Sequence, residues 1–164
     1  MTKKRTRFLT VGLAMIVLLA AALFVIPRLS TTASAQVWSG SAADGIANGS
    51  GTESDPYQIS SGEELAWIAK QVNENDKTFE NTYFVLTADI DLGGKDGKEW
   101  TPISYGGYNT SDVRLKETDF AGVFDGKGHT ISCLKISDSK HAGLFGYSSG
   151  TIKNLYLENV QISS

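Results

Sequence analysis

The chain has 164 residues, 41% of them hydrophobic and 20% charged, with a formal net charge of −3, and that length sets one domain as the prior. All 18 acidic residues lie after Ala35, whereas 5 of the 15 basic ones lie before it, so the remainder carries −8. Such an acidic surface argues against nucleic acid or anionic lipid as a partner. The single cysteine, Cys133, excludes an internal disulfide and leaves packing to hold the fold.

Residues 1–35 read as a signal peptide. Residues 1–7 carry Lys3, Lys4, Arg5 and Arg7, residues 8–26 are uncharged and apolar, and residues 30–35 are small and polar, ending in Ala33-Ser34-Ala35. A basic front, an apolar middle and an A-x-A end predict cleavage after Ala35, with the exported chain starting at Gln36. The apolar run is also long enough to span a bilayer, so an uncleaved signal-anchor is the alternative. Either way the rest is secreted or held at the cell surface. After cleavage no membrane contact is expected.

Residues 36–56 are rich in Gly, Ser, Ala, Asn and Asp and read as a flexible lead-in. Residues 57–119 hold a capping helix, the first strands and a long loop. Tyr57–Ile59 is a short extended piece. Ser61 and Glu64 then have the S-x-x-E spacing of a capping box. Leu65, Ile68, Ala69 and Val72 follow at i, i+3, i+4, i+7, which predicts a helix over 62–73. In "YFVLTADIDL", residues 83–92, Phe84, Leu86, Ala88, Ile90 and Leu92 share one face, as in a strand with one buried side. Residues 95–119 form a long polar stretch holding Trp100, Tyr105 and Tyr108. A loop of that length is either an excursion or a site.

Residues 120–164 repeat themselves. "AGVFDGKGHTISCLKI", from Ala121, lies without a gap over "AGLFGYSSGTIKNLYL", from Ala142, with six of sixteen positions identical and each pair 21 residues apart. Each unit holds short apolar runs between Gly, Asp, Ser and Asn. Ile131 and Leu134 are three apart, so one flat strand cannot turn both inward. Corners at Ser132-Cys133 and at Lys153-Asn154 resolve this. The fold expected is mainly β: a parallel β-helix of about 21 residues per turn, capped by the N-terminal helix. Its core is Phe124, Ile131, Leu134, Ile136, Phe145, Ile152, Leu155 and Leu157, with Thr130 over Thr151, Ile131 over Ile152 and Leu134 over Leu155. The alternative is a pair of antiparallel hairpins that match by chance. Cys133 reads as a half-buried structural thiol; a free reactive thiol is the competing reading.

These residues resemble the GLUG-motif repeats of large bacterial cell-surface proteins. The upstream "PYQISSGEELAWIAKQVN", "YFVLTADIDL" and "WTPI" are similar to the segment that precedes those repeats, so the likeness covers residues 55–164. The family includes adhesin-like proteins and non-catalytic regions of IgA-specific metallopeptidases. The resemblance implies an exported right-handed β-helix engaged in adhesion or biofilm formation, with no defined catalytic residues. Cys133 departs from the pattern, because Gly is expected at that corner.

Catalytic constellations are missing from the sequence. There is no H-E-x-x-H, and the two histidines, His129 and His141, have no Cys partner nearby. No Ser-His-Asp arrangement has a spacing logic. Asp89 and Asp91 share the outward face of one strand, which a solvated face shows anyway. Asp125-Gly126-Lys127-Gly128 suits a cation loop, but a Gly-rich turn opened by Asp is the plainer account. No enzyme activity, cofactor or metal is expected in this chain. Trp100, Tyr105 and Tyr108, beside Asn109 and Asp112, are the candidate ligand-binding residues, with a host or matrix glycan or protein as the partner. Packing of Trp100 onto the solenoid is the competing reading.

The sequence stops at "NVQISS", where a further turn is due. An uncapped solenoid end exposes core and strand edges, and so invites self-association. The chain is therefore expected to be the front of a longer surface protein. The alternative function is the non-catalytic N-terminal part of an exported hydrolase, a metallopeptidase or a polysaccharide-acting enzyme.

Overall fold

The computed structural model describes residues 35–105, 118–137 and 142–163. The signal-peptide reading, Tyr108, Asn109, Asp112 and His141 fall outside the described residues. No helix among the described residues is long and apolar enough to cross a membrane.

Helix α1, Gly62–Asn75, starts where the spacing predicts and runs slightly further. The Ser61 hydroxyl accepts from the Glu64 N–H at 3.3 Å, which satisfies one orphan donor of the first turn. The second half of the capping box does not form. Glu64 Oε2 instead accepts from the N–H and the hydroxyl of Ser60, at 2.8 and 3.0 Å. Leu65, Ala66, Ile68, Ala69 and Val72 are buried. Asp76 ends the helix with a left-handed backbone, φ 55°.

The strands are short: β1 Gln36–Val37, β2 Tyr57–Ile59, β3 Tyr83–Leu86, β4 Ile90–Asp91, β5 Val123–Asp125, β6 Thr130–Ser132, β7 Lys135–Ser137, β8 Thr151–Lys153, β9 Tyr156–Glu158 and β10 Gln161–Ser163. Every pairing between them is parallel. Three sheets result, in the orders β1-β4-β6-β9, β2-β3-β5-β8 and β7-β10. Strands β5, β6 and β7 fall in three different sheets, and β8, β9 and β10 visit the same sheets in the same order. Strands β3 and β4 are the first two legs of the layer before. Its third leg holds a 3-10 turn, Gly94–Asp96, and Trp100, whose N–H donates to the Lys135 carbonyl at 2.8 Å.

This layering stacks like on like. Phe84 pairs with Phe124 and Phe124 with Ile152; Ile90 pairs with Ile131 and Ile131 with Leu157. The Phe120 ring bridges Phe84 and Phe145 at centroid distances of 5.9 and 5.1 Å, and Phe145 meets Phe124 edge-on at 5.4 Å. Full burial of each such side chain is worth about 1.5–3 kcal/mol. The apolar face of α1 joins the same cluster.

Four sequence expectations need correction. The stacking offset is not 21 residues. Val123 pairs with Thr151, 28 residues on, while Ile131 pairs with Leu157 and Ile136 with Ile162, each 26 on. The Thr130–Thr151, Ile131–Ile152 and Leu134–Leu155 ladders therefore do not form. Residues 83–92 are two strands in two sheets, because the chain turns a corner at Thr87 to Asp89 without interrupting its alternation. The lead-in supplies strand β1 and the buried Trp38. Of the expected repeat core, Phe124, Ile131, Leu134 and Ile136 are buried, Phe145 and Leu155 are half-buried, and Ile152 and Leu157 are exposed. Nothing among the described residues packs beyond the layer of β8, β9 and β10.

The predicted corners themselves are present. Cys133 and Asn154 have φ 56° and 52°, the left-handed region that few L-residues occupy. They belong to different corners. Asn154 lies between β8 and β9. Cys133 lies between β6 and β7, and its N–H donates to the Glu158 carbonyl at 3.0 Å, opposite Asn159, whose φ is 54°.

Candidate binding surface

The carboxylates hold corners. Asp89 Oδ1 accepts from the Thr130 N–H at 2.9 Å and lies 3.1 Å from His129 Nδ1, so it ties the β3–β4 corner to the layer above. The Thr130 N–H and then His129 hold its carboxyl below the usual range. Asp91 Oδ1 accepts from the Gly93 N–H at 2.8 Å. Asp125 Oδ1 accepts from the Lys127 N–H at 2.9 Å and from Asn154 Nδ2 at 3.0 Å. Its Oδ2 lies 3.3 Å from Lys127 Nζ and 3.7 Å from Lys153 Nζ. Burial alone would raise its pKa; the Asn154 amide and the Lys127 N–H and ammonium outweigh that and bring it down to about 2. With its oxygens so engaged, Asp125 is the opening residue of a Gly-rich turn. Among the described residues no three His, Cys, Asp or Glu side chains gather as a metal site.

The loop aromatics separate. Trp100 is 3% exposed. Its indole N–H donates to the Leu144 carbonyl at 3.1 Å, and its ring meets Trp38 edge-on at 5.4 Å. It is a core pillar, packed as the competing reading of the sequence expects. Tyr105 is 44% exposed. Its N–H donates to Asn73 Oδ1 at 3.0 Å, while Asn73 Nδ2 donates to the Pro102 carbonyl at 2.9 Å, so α1 grips this segment. Tyr105 and an edge of Trp100 line an open depression of about 460 Å³ with Glu99, Pro102 and Ile136.

A different surface gathers aromatic and polar groups. A groove of about 590 Å³ lies between the turn after residue 50 and the segment after α1. Tyr57, Trp67 and Phe79, all half-buried, line it, with Thr52, Lys77 and Asn81 among its polar lining residues. The wall is braced. The N–H groups of Ser50, Gly51 and Thr52 all donate to the Asp55 carbonyl, at 3.0, 3.0 and 3.2 Å. Gly51 lies so close that a Cβ there would meet the Tyr57 ring at 2.4 Å. Opposite, Phe79 and Asn81 hold left-handed backbones, φ 58° and 57°. The sequence carried one sign of this groove: Trp67 lies off the stripe formed by Leu65, Ile68, Ala69 and Val72.

No family model matches the chain, and no solved structure matches it. Over 134 residues the chain is 34% identical to a protein named halomucin, from Haloquadratum walsbyi. The match takes in 76% of this chain but 1% of halomucin, so the chain spans about one hundredth of that relative's length.

Proposed function

We propose that the chain is an exported, non-catalytic surface module of the GLUG-repeat kind, built as a parallel β-helix and used for surface interaction or adhesion. The observation that carries this reading is topological. Successive layers visit three parallel sheets in the same order, as each turn of a solenoid does. Ile152, Leu157 and Ile162 stand exposed on β8, β9 and β10 and offer an apolar surface for interaction. The halomucin likeness is compatible with a role at the cell surface. The basic, apolar, A-x-A leader and the net charge of −8 beyond it support export.

The test is to express the tagged full chain in a bacterial host, fractionate the cells and sequence the N-terminus of the product. Recovery outside the cytoplasm, starting at Gln36 or retained on the membrane, is the expected result. Retention in the cytosol with Met1 intact defeats the reading. Beads carrying the purified chain should then adhere to glycan- or matrix-coated surfaces more than beads carrying an unrelated acidic protein.

A further inference from the structure

We propose that the groove lined by Tyr57, Trp67 and Phe79 is a binding site for a neutral oligosaccharide. The proposal rests on the surface-interaction reading above and assigns its ligand class and location. Sugar rings present an apolar C–H face and a hydroxyl rim. Half-buried aromatic rings meet the first need, and a few convergent polar groups meet the second. The groove has both. It is an open groove of about 590 Å³.

The polar side is chemically open. Neither the Asn81 amide nor the Glu80 carboxylate has a hydrogen bond or ion pair among the described residues. Acidic Asp76 and Glu80 stand with Lys77 along the groove, in a chain whose part beyond Ala35 carries −8. That balance disfavours a polyanionic glycan.

The segment that carries this rim is held under strain. Phe79 is a bulky residue at φ 58°, a conformation that costs roughly 1–2 kcal/mol. Two bonds fix it there: the Thr82 N–H donates to the Phe79 carbonyl at 3.0 Å, and the Ala121 N–H donates to the Thr78 carbonyl at 2.7 Å. The result places the Phe79 ring 5.9 Å from Trp67. Strain of this kind collects at ligand clamps. Here the Phe79 ring lies tilted 47° to Trp67 at the edge of a polar rim, while it also packs edge-on against the buried Phe84 at 5.1 Å.

The experiment uses the full chain on an array of neutral hexasaccharides of glucose, mannose and galactose, with heparin and hyaluronan oligosaccharides as anionic probes. Binding of at least one neutral probe above both anionic ones is expected. Trp67→Ala should weaken it about tenfold or more, the loss of one good stacking contact. Asn81→Gly keeps the left-handed backbone and removes only the amide, so it should weaken binding about threefold to tenfold at an unchanged melting temperature. Tyr105→Ala should leave it unchanged. Parent-like binding by both groove variants overturns the site, as does loss of binding in Tyr105→Ala alone; the surface-interaction reading survives both. Preference for the anionic probes, or no neutral probe bound, overturns the ligand class. The surface-interaction reading fails separately, through cytosolic retention in the fractionation experiment.

Discussion

The Asp125 carboxylate accepts a hydrogen bond from the Asn154 side-chain amide at 3.0 Å, across two successive layers of the fold. Asn154 has φ 52°, so one residue turns the β8–β9 corner and ties it to the corner below. The two roles separate by mutation. Asn154→Gly retains the backbone and loses the hydrogen bond, and should cost about 1–2 kcal/mol. Asn154→Ala loses both and should cost about 1 kcal/mol more. Urea unfolding of the two variants decides the matter: equal midpoints would show that the left-handed corner carries no strain.

The same pair sets an acid limb of stability. The folded pKa of Asp125, about 2, lies below its ordinary value of 3.8. Its contribution is therefore complete above about pH 4 and is lost as pH falls toward 2. After allowance for solvent screening it amounts to on the order of 1–2 kcal/mol. Asp89 is shifted in the same direction, by the Thr130 N–H and His129, and adds to the same limb. Unfolding free energy followed from pH 6 to pH 2 should fall less steeply in Asn154→Gly than in the parent. Parallel slopes would remove Asn154 as a cause.

Much of this organisation was legible in the sequence, and the part that was not has a physical reason. The apolar stripe of α1 is set by 3.6 residues per turn and needs no tertiary knowledge. The corners at Cys133 and Asn154 followed from Ile131 and Leu134 being an odd number apart. The stacking partners did not follow, because identity and register are different quantities. At an offset of 21 the gapless match lays β6 over β8 and β7 over β9, one leg out of step with the observed pairs β6–β9 and β7–β10, whose offset is 26. It laid Phe145 over Phe124, yet Phe145 is not in a strand and packs edge-on against that ring. For the site, position in the loop alone does not divide Tyr105 from Trp100; the burial of Trp100 rests on packing against Trp38 and on a carbonyl 44 residues away. The groove at Trp67 joins the turn after residue 50 to the segment after α1, a meeting that no local pattern announces.

Glycine spacing between layers gives a paired prediction. At Gly126 a Cβ would lie 2.5 Å from the Asn154 carbonyl oxygen and 2.8 Å from the Leu155 Cα, both backbone atoms of the next layer. Gly126→Ala must push the layers apart and should cost about 3 kcal/mol or more. At Gly128, φ 82°, a Cβ would meet nothing within 4 Å, so Gly128→Ala should cost only the backbone strain, about 1–2 kcal/mol. Thermal melts of the two variants should differ in that order. A reversed order would contradict the layer contact at Gly126.

Cys133 combines a left-handed backbone with 3% exposure. Its thiol should resist an aromatic disulfide reagent in the native protein and react fully in denaturant; rapid native labelling would make it a reactive site instead of a corner. Cys133→Gly relieves about 1 kcal/mol of strain and gives up a comparable amount of buried side chain, so its stability should lie close to that of the parent. Cys133→Val places a β-branched side chain in the left-handed region and should cost about 2 kcal/mol or more.

Trp100 gives the sharpest division between core and ligand surface. Trp100→Ala opens a cavity under Trp38 and removes one of the two donors to the Leu144 carbonyl, which keeps the Ile103 N–H at 3.0 Å, and should cost about 3–5 kcal/mol. Trp100→Phe keeps most of the packing and loses the indole N–H, and should cost about 1–3 kcal/mol. Trp100 is not part of the groove at Tyr57, Trp67 and Phe79, so binding at that groove per folded molecule should equal that of the parent in Trp100→Phe. Denaturant unfolding and array binding, measured on the same preparations, test both statements. Parent stability with lost binding in Trp100→Phe would return Trp100 to the ligand surface and contradict its burial against Trp38.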